Sequence, residues 1–229
     1  MSDISSLHIG IILDGNRRWA KAHNLPSLEG HRAGAENFKN VVHAAFDRGI
    51  AYLSAFIFST ENWSRTDEEV GYLMNLVTKA FEEYLAEFHE RGIKIVILGR
   101  RQGIRKKVLD VILKTEEKTK NNKKGTLALC FNYGGHQEIV DAFNTIKSNE
   151  IMDHDITSEI VRKNLYHPEV PDVDFIIRTS GEMRTSGFML ARSAYAELYF
   201  SDKMWPDFTK KDFNDAVDNF LNRDRRFGE

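Results

Sequence analysis

The segment His8-Ile9-Gly10-Ile11-Ile12-Leu13-Asp14-Gly15-Asn16-Arg17-Arg18-Trp19 passes from an apolar run into a turn and then into two arginines. A short apolar run closed by a turn signal is the pattern of a fully buried strand, here over 8–13. Further strands are predicted over 51–58, 93–98, 126–131, 173–177 and 198–200. Helical stretches separate them: 31–48, 67–91, a Lys- and Glu-rich stretch ending near 122, one after Gly134-Gly135, and a short one over 157–165. The clearest is 67–91, where Val70, Leu73, Met74, Val77, Phe81, Tyr84, Leu85 and Phe88 recur at spacings of three and four, with Gly92 as a stop. Strands spaced by helices of this length require right-handed crossovers. The expectation is a single α/β domain over 1–229, a mostly parallel central sheet of about six strands flanked by helices. There is no internal repeat or low-complexity linker, and all four prolines are placed in connections.

Composition narrows the function. The 229 residues are 41% hydrophobic and 29% charged, a globular balance. Lys+Arg 32 against Asp+Glu 34 leaves a net charge of −2, which supplies no field for nucleic acid, so no nucleic-acid partner is expected. Cys130 is the only cysteine, which excludes an intrachain disulfide and a zinc-cysteine cluster. The first seven residues lack a basic n-region, and no stretch approaches about 18 consecutive apolar residues. A cytoplasmic location is expected, with contact at a membrane surface left open.

The chemistry starts at the turn. In open α/β sheets ligands sit beyond the carboxyl ends of the strands, where Asp14-Gly15-Asn16-Arg17-Arg18 falls. Glycine permits the turn, and arginine binds phosphate oxygens bidentately. A carboxylate beside a phosphate group needs a bridging cation, so Asp14 predicts Mg²⁺. Taken alone, the same residues also describe a plain turn with solvated arginines. The Gly-x-x-x-x-Gly-Lys-Ser/Thr and Gly-x-Gly-x-x-Gly phosphate loops are absent. Ser59 to Arg65 follows the second strand and so joins the same sheet end. Its alternative role is to cap the helix from 67, with Trp63 in the core. Arg178 and Arg184, with Ser186, flank a Ser180-Gly181 turn after another strand, a pair suited to a second diphosphate or to surface ion pairs. Glu197 stands in an apolar run, where burial unpaired is costly. Either it pairs with an arginine or it completes a metal site.

Five motifs in order resemble the cis-prenyltransferases, the undecaprenyl diphosphate synthase family. They are His8 to Ala20 with Gly30-His31-x-x-Gly34; Phe58-Ser-Thr-Glu61-Asn62-Trp63-x-Arg65; Asn132-Tyr-Gly-Gly135; Ile177-Arg178-Thr-Ser-Gly-Glu182-x-Arg184; and Ser193-Ala-Tyr-Ala-Glu197-Leu-Tyr-Phe200. The resemblance extends from His8 to Gly228. It implies a Z-type polyprenyl diphosphate synthase that joins isopentenyl diphosphate to a geranyl, farnesyl or geranylgeranyl diphosphate primer with Mg²⁺, in isoprenoid carrier-lipid synthesis.

By that resemblance Asp14 and Asn62 are catalytic, with Asn62 relaying a proton, and Asp14 and Glu197 are metal-binding. Gly15, Asn16, Arg17, Arg18, Trp19, His31, Ser59, Thr60, Glu61, Trp63 and Arg65 bind substrate, and Arg178, Arg184 and Ser186 clamp isopentenyl diphosphate. By the same resemblance Glu197 reaches toward the partner subunit's active site and the tail Arg226-Phe227-Gly228 resembles a motif that does likewise, so both imply a homodimer. An apolar tunnel for the product is expected from the 67–91 helix and from Phe56, Phe58, Leu127 and Leu129, with membrane contact through that product. Ile57 and Phe131 replace the alanines of long-chain members, which points to a short or medium product. Ser27 stands where an arginine usually contacts the primer diphosphate, leaving Arg17 or Arg32 to compensate. Met183, Gly187 and Ala191 also depart from the commoner bacterial pattern. Alternatives are a short-chain or irregular terpene synthase or a diphosphate hydrolase on the same fold, or a non-catalytic partner subunit, which the presence of Asp14 and Glu197 argues against.

Overall fold

The computed structural model describes residues 4–148 and 155–223. Six strands form one sheet: β1 His8–Ile12, β2 Tyr52–Ser59, β3 Ile93–Leu98, β4 Gly125–Tyr133, β5 Phe175–Arg178 and β6 Glu197–Phe200. Their order is β3-β4-β2-β1-β5-β6, and every neighbouring pair is parallel. The helices are α1 Asn16–Ala22, α2 Ser27–Asp47, α3 Asp67–Glu90, α4 Lys106–Thr119, α5 Gly135–Ser148, α6 Ser158–Lys163 and α7 Lys210–Leu221. The tail Arg226-Phe227-Gly228 lies outside the described residues.

The expected elements recur with shifted ends. α2 begins at Ser27 rather than 31, because Pro26 (φ −57°) is compatible with a helix start. α1 follows the Asp14-Gly15 turn directly and is separate from α2. Asn24 at φ 55° and Pro26 end it and turn the chain back. Pro206 is the exception among the prolines, lying inside the 3₁₀ turn Trp205–Asp207.

Alternation sorts the strand side chains onto two faces. Ile9, Ile11, Leu53, Ile95, Leu127 and Ile177 pack in one core with Val41, Phe81 and Phe213 from α2, α3 and α7. Ile12, Val96, Ala128, Cys130 and Ile176 pack in the other with Phe188 and Met189. Cys130 is a buried free thiol, and burial raises its pKa. On this second side lies an ion pair sealed from water. Arg192 Nη1 donates to Glu138 Oε1 at 2.5 Å, with side-chain exposures of 1% and 0%. Arg192 Nε and Nη2 donate to the carbonyls of Val170 and Tyr166, and Tyr133 Oη donates to Glu138 at 2.6 Å. Every charge there has its hydrogen-bond complement, the condition for tolerating a buried pair.

β1 lies between β2 and β5, so the chain leaves it in opposite directions. That reversal opens a crevice at the carboxyl ends of the strands. Asp14, Ser59, Gly134 and Arg178 all stand at that end. A bulge in β2 shifts the register between Phe56 and Phe58, so Ile57 has no partner on β4.

Candidate active site

Gly15 sits at φ 109°, a conformation that L side chains rarely adopt, and a Cβ there would strike Ser180. The turn it creates is pinned from several sides. Thr179 Oγ1 donates to the Asp14 carbonyl at 2.7 Å, and the Trp205 N–H donates to the same oxygen at 3.0 Å. Trp205 Nε1 donates to Gly34 O at 2.8 Å. Gly30 and Gly34 have no Cβ to collide with Asn16, so α2 lies directly against the turn. The Gly30-x-x-x-Gly34 spacing is thus a packing requirement.

Asp14 meets the other strand ends through its carboxylate. Arg178 Nη2 donates to Asp14 Oδ2 at 2.9 Å, and Arg18 Nη2 lies 3.3 Å from Oδ1. Arg178 Nη1 donates to Ser186 Oγ at 2.9 Å and to the Arg184 carbonyl at 2.5 Å. Arg178 Nε and Asn16 Oδ1 are buried without a hydrogen-bond partner among the described residues. Buried polar atoms of this kind need an explanation, and a polar ligand supplies one. After β2, Ser59 N–H donates to Asn62 Oδ1 at 3.0 Å in a reciprocal cap. That bond fixes the Asn62 amide, and its NH₂ end has no hydrogen-bond partner among the described residues.

A cavity of about 960 Å³ opens from these groups. Its polar end carries Asp14, Asn16, His31, Ser59, Thr60, Glu61, Asn62, Arg65, Arg178 and Ser186. Its far end is apolar, between α2, α3 and the sheet: Phe38, Val77, Phe81, Phe88, Ile95 and Phe131. Phe56 and Leu129 line it as expected, whereas Phe58 and Leu127 do not. Ile57 and Phe131 both project bulk into it. Burial, and next the Arg65 charge, lower the pKa of His31, against a smaller opposing effect of Glu69.

Several predicted residues lie apart from the cavity wall. Trp19 donates from Nε1 to Asp207 at 2.8 Å and stacks on His23. Trp63 donates to Asn132 Oδ1 at 2.7 Å and packs edge-on to Phe58, so its ring braces the β2 end. Arg184 is exposed and paired with Glu182 at 2.6 Å. Arg32 is tied along α2 to Glu29 and Glu36.

Glu197 stands apart from Asp14 within one chain. It is in register with Phe175 at the start of β5, whereas Ile12, just before Asp14, is in register with Arg178 at its end. The two carboxylates therefore stand at opposite ends of the sheet and do not share a metal within one chain. Glu197 accepts from Arg223 Nη1 at 2.7 Å, the other role open to it. Among the described residues no group of three or more His, Cys, Asp or Glu could hold a metal ion.

The sequence does not mark Trp205 or Glu69 as site residues, and it assigns no role to Asn132, which opens one of the five motifs. Trp205 locks the β1 turn, Asn132 at φ 51° holds Trp63, and Glu69 lies within 4.0 Å of three predicted substrate-site basic side chains. Only Glu69 left a signal, its spacing of four from Arg65 at a helix start.

Arginine-bearing strand ends around one carboxylate, opening on an apolar cavity, define a protein that handles an anionic head joined to a hydrocarbon chain. The comparisons are specific. The family model described as "Putative undecaprenyl diphosphate synthase" matches residues 12–228. An isoprenyl transferase of Thermotoga maritima is 48% identical over 225 residues, covering 96% of each chain. A trans,polycis-polyprenyl diphosphate synthase ((2Z,6E)-farnesyl diphosphate specific) of Thermobifida fusca is 42% identical over 96% of this chain and 80% of that protein. Among solved structures, lavandulyl diphosphate synthase from Lavandula x intermedia, in complex with dimethylallyl diphosphate, superposes with a TM-score of 0.94 at 30% identity, covering 99% of each chain. A probable undecaprenyl diphosphate synthase from Campylobacter jejuni gives 0.83 at 29% identity over 100% of both. The chain belongs to the undecaprenyl diphosphate synthase family, the cis-prenyltransferases, and is a prenyl-transferring enzyme. The family implies isopentenyl diphosphate and an allylic diphosphate as substrates.

Proposed function

We propose that the cleft around Asp14 joins isopentenyl diphosphate to a geranyl, farnesyl or geranylgeranyl diphosphate primer, forming a Z double bond and releasing diphosphate. The observation that carries this reading is the meeting of Asp14, Arg18, Arg178 and Ser186 at the mouth of an apolar cavity. Arg18, Arg17 and His31 hold the primer diphosphate, with Arg17 in place of the arginine that Ser27 lacks, since Arg32 is engaged elsewhere. Arg178 and Ser186, aided by Arg184, take the second diphosphate.

A single carboxylate flanked by phosphate-binding arginines fits Mg²⁺, which is held by one or two carboxylates while substrate phosphates and water complete its octahedron. Asp14 would hold it, and its chemistry when bound is to neutralise the departing diphosphate. As the C1–O bond of the primer breaks, positive charge develops at C1. The double bond of isopentenyl diphosphate forms the new C–C bond there, and a proton leaves its C2. The anchored Asn62 amide relays that proton toward diphosphate or water rather than acting as a base. The protein contributes positioning and charge placement, and the cavity excludes water from the cation.

Ile57 and Phe131 in the cavity wall support a short or medium product. β6 ends the sheet and carries Leu198 at 40% exposure, with Tyr195 nearby at 83%, which supports a homodimer along that edge. No helix is long and apolar enough to cross a membrane among the described residues. A cytoplasmic enzyme that meets the membrane through its product accords with this.

Incubation with Mg²⁺, isopentenyl diphosphate and C10, C15 or C20 primers, followed by product sizing and NMR of the new double bond, tests the reading. Z-configured elongation products support it. A branched C10 product would favour an irregular terpene synthase, and inorganic diphosphate without a coupled product would favour a hydrolase.

A further inference from the structure

Glu69 has no part in the reaction described above, yet it sits where three basic side chains of the site, Arg17, His31 and Arg65, meet. It lies in the first turn of α3, with its side chain 12% exposed and its backbone N–H bonded to the cap Thr66. A single oxygen, Oε1, accepts from Arg65 Nη1 at 2.8 Å. The same oxygen lies 3.4 Å from His31 Nε2, without hydrogen-bond geometry, and 4.0 Å from Arg17 Nε. The three partners come from separate elements: Arg17 from α1, His31 from α2 and Arg65 from the segment after β2. His31 and Arg65 line the polar end of the cavity, and Glu69 stands behind them.

Two consequences follow. Left alone, the two guanidinium groups repel each other, and the long Arg65 side chain loses rotamer entropy when a ligand fixes it. One carboxylate behind them offsets the repulsion and fixes Arg65 in advance, while four of its five N–H donors remain for a ligand. The cluster also keeps a cationic excess, with two arginines against one carboxylate, as an anion site requires. We propose that Glu69 is a positioning residue for the primer diphosphate, holding Arg65, His31 and Arg17 in a receptive arrangement. This inference rests on the diphosphate reading of the cleft. Glu69 makes no contact with Arg178, Arg184 or Ser186, so its influence is confined to one of the two substrates.

The competing role is an ion pair between Arg65 and Glu69 that ties the segment before α3 to its first turn and contributes to stability alone. Steady-state kinetics of Glu69→Ala and Glu69→Gln, with both substrates varied and melting temperatures recorded, separates the two. Glu69→Ala is expected to raise KM for the allylic primer about tenfold, the effect of losing one charge-assisted bond. KM for isopentenyl diphosphate stays within about twofold, and Glu69→Gln, which can still accept from Arg65, restores most of the primer KM. A primer KM unchanged in Glu69→Ala, an equal rise in both KM values, or a Gln variant as impaired as the Ala variant would each overturn the assignment. Calorimetric titration with inorganic diphosphate keeps the test independent of turnover. If wild type turns over no primer, the reaction reading fails. Glu69→Ala must then still weaken diphosphate binding about tenfold for this inference to survive.

Discussion

Two buried arginines, Arg192 and Arg178, each face a carboxylate, and the difference between the pairs separates structure from function. Arg192 and Glu138 are sealed, and all three guanidinium nitrogens of Arg192 have acceptors. Arg178 is almost as buried, at 6%, but Asp14 is 28% exposed, Arg178 Nε has no partner among the described residues, and the pair faces a cavity. The first pair is complete without a ligand. The second is complete only with one.

The largest effect is expected at the closed pair. Arg192→Leu strands a buried carboxylate and should lower the unfolding free energy by about 3–5 kcal/mol. Denaturant unfolding reads this directly. A loss below about 1 kcal/mol would mean that Glu138 finds water or takes a proton, and the contrast with Arg178 would collapse.

His8 extends the closed region. Fully buried, it bonds Ser54 Oγ through Nε2 at 2.7 Å, and burial lowers its pKa to about 4. The unfolded chain takes up this proton near pH 6.5, the native chain only near pH 4. Stability is therefore full above about pH 6.5 and falls with pH toward 4, by on the order of 3 kcal/mol. Thermal melts of wild type and His8→Gln across that window check it, the variant showing the shallower fall.

At the open pair the expectation reverses. Arg178→Gln should raise KM for isopentenyl diphosphate about a hundredfold while shifting the melting temperature little, because Asp14 keeps Arg18 and solvent. A large stability loss instead would place Arg178 in the same class as Arg192. The smallest effect is at the cavity end, where Ile57→Ala should lengthen the product by one or more isoprene units at near-normal turnover. Product sizing reports it, and an unchanged distribution would remove Ile57 as the stop.

The fold was legible because parallel strands buried on both faces must be apolar throughout, and these runs stand out along the chain. The sheet end was legible too, since Asp14, Ser59 and Arg178 each follow such a run. What sequence could not reveal are relations across it. Glu197 stood out as a charge in an apolar run, but only the β5–β6 register shows it at the end opposite Asp14. Trp205 and Asn132 act through contacts 171 and 69 residues away, which no local pattern encodes. Leu127 and Leu129 look alike in sequence, yet only Leu129, nearer the carboxyl end of β4, reaches the cavity.

The central claim is that Asp14 serves the reaction and not the fold. Incorporation of labelled isopentenyl diphosphate by Asp14→Ala, alongside its melting temperature, tests it most directly. The account predicts at least about a thousandfold loss of turnover in a protein that melts within a few degrees of wild type. A folded Asp14→Ala enzyme that retains turnover would contradict it.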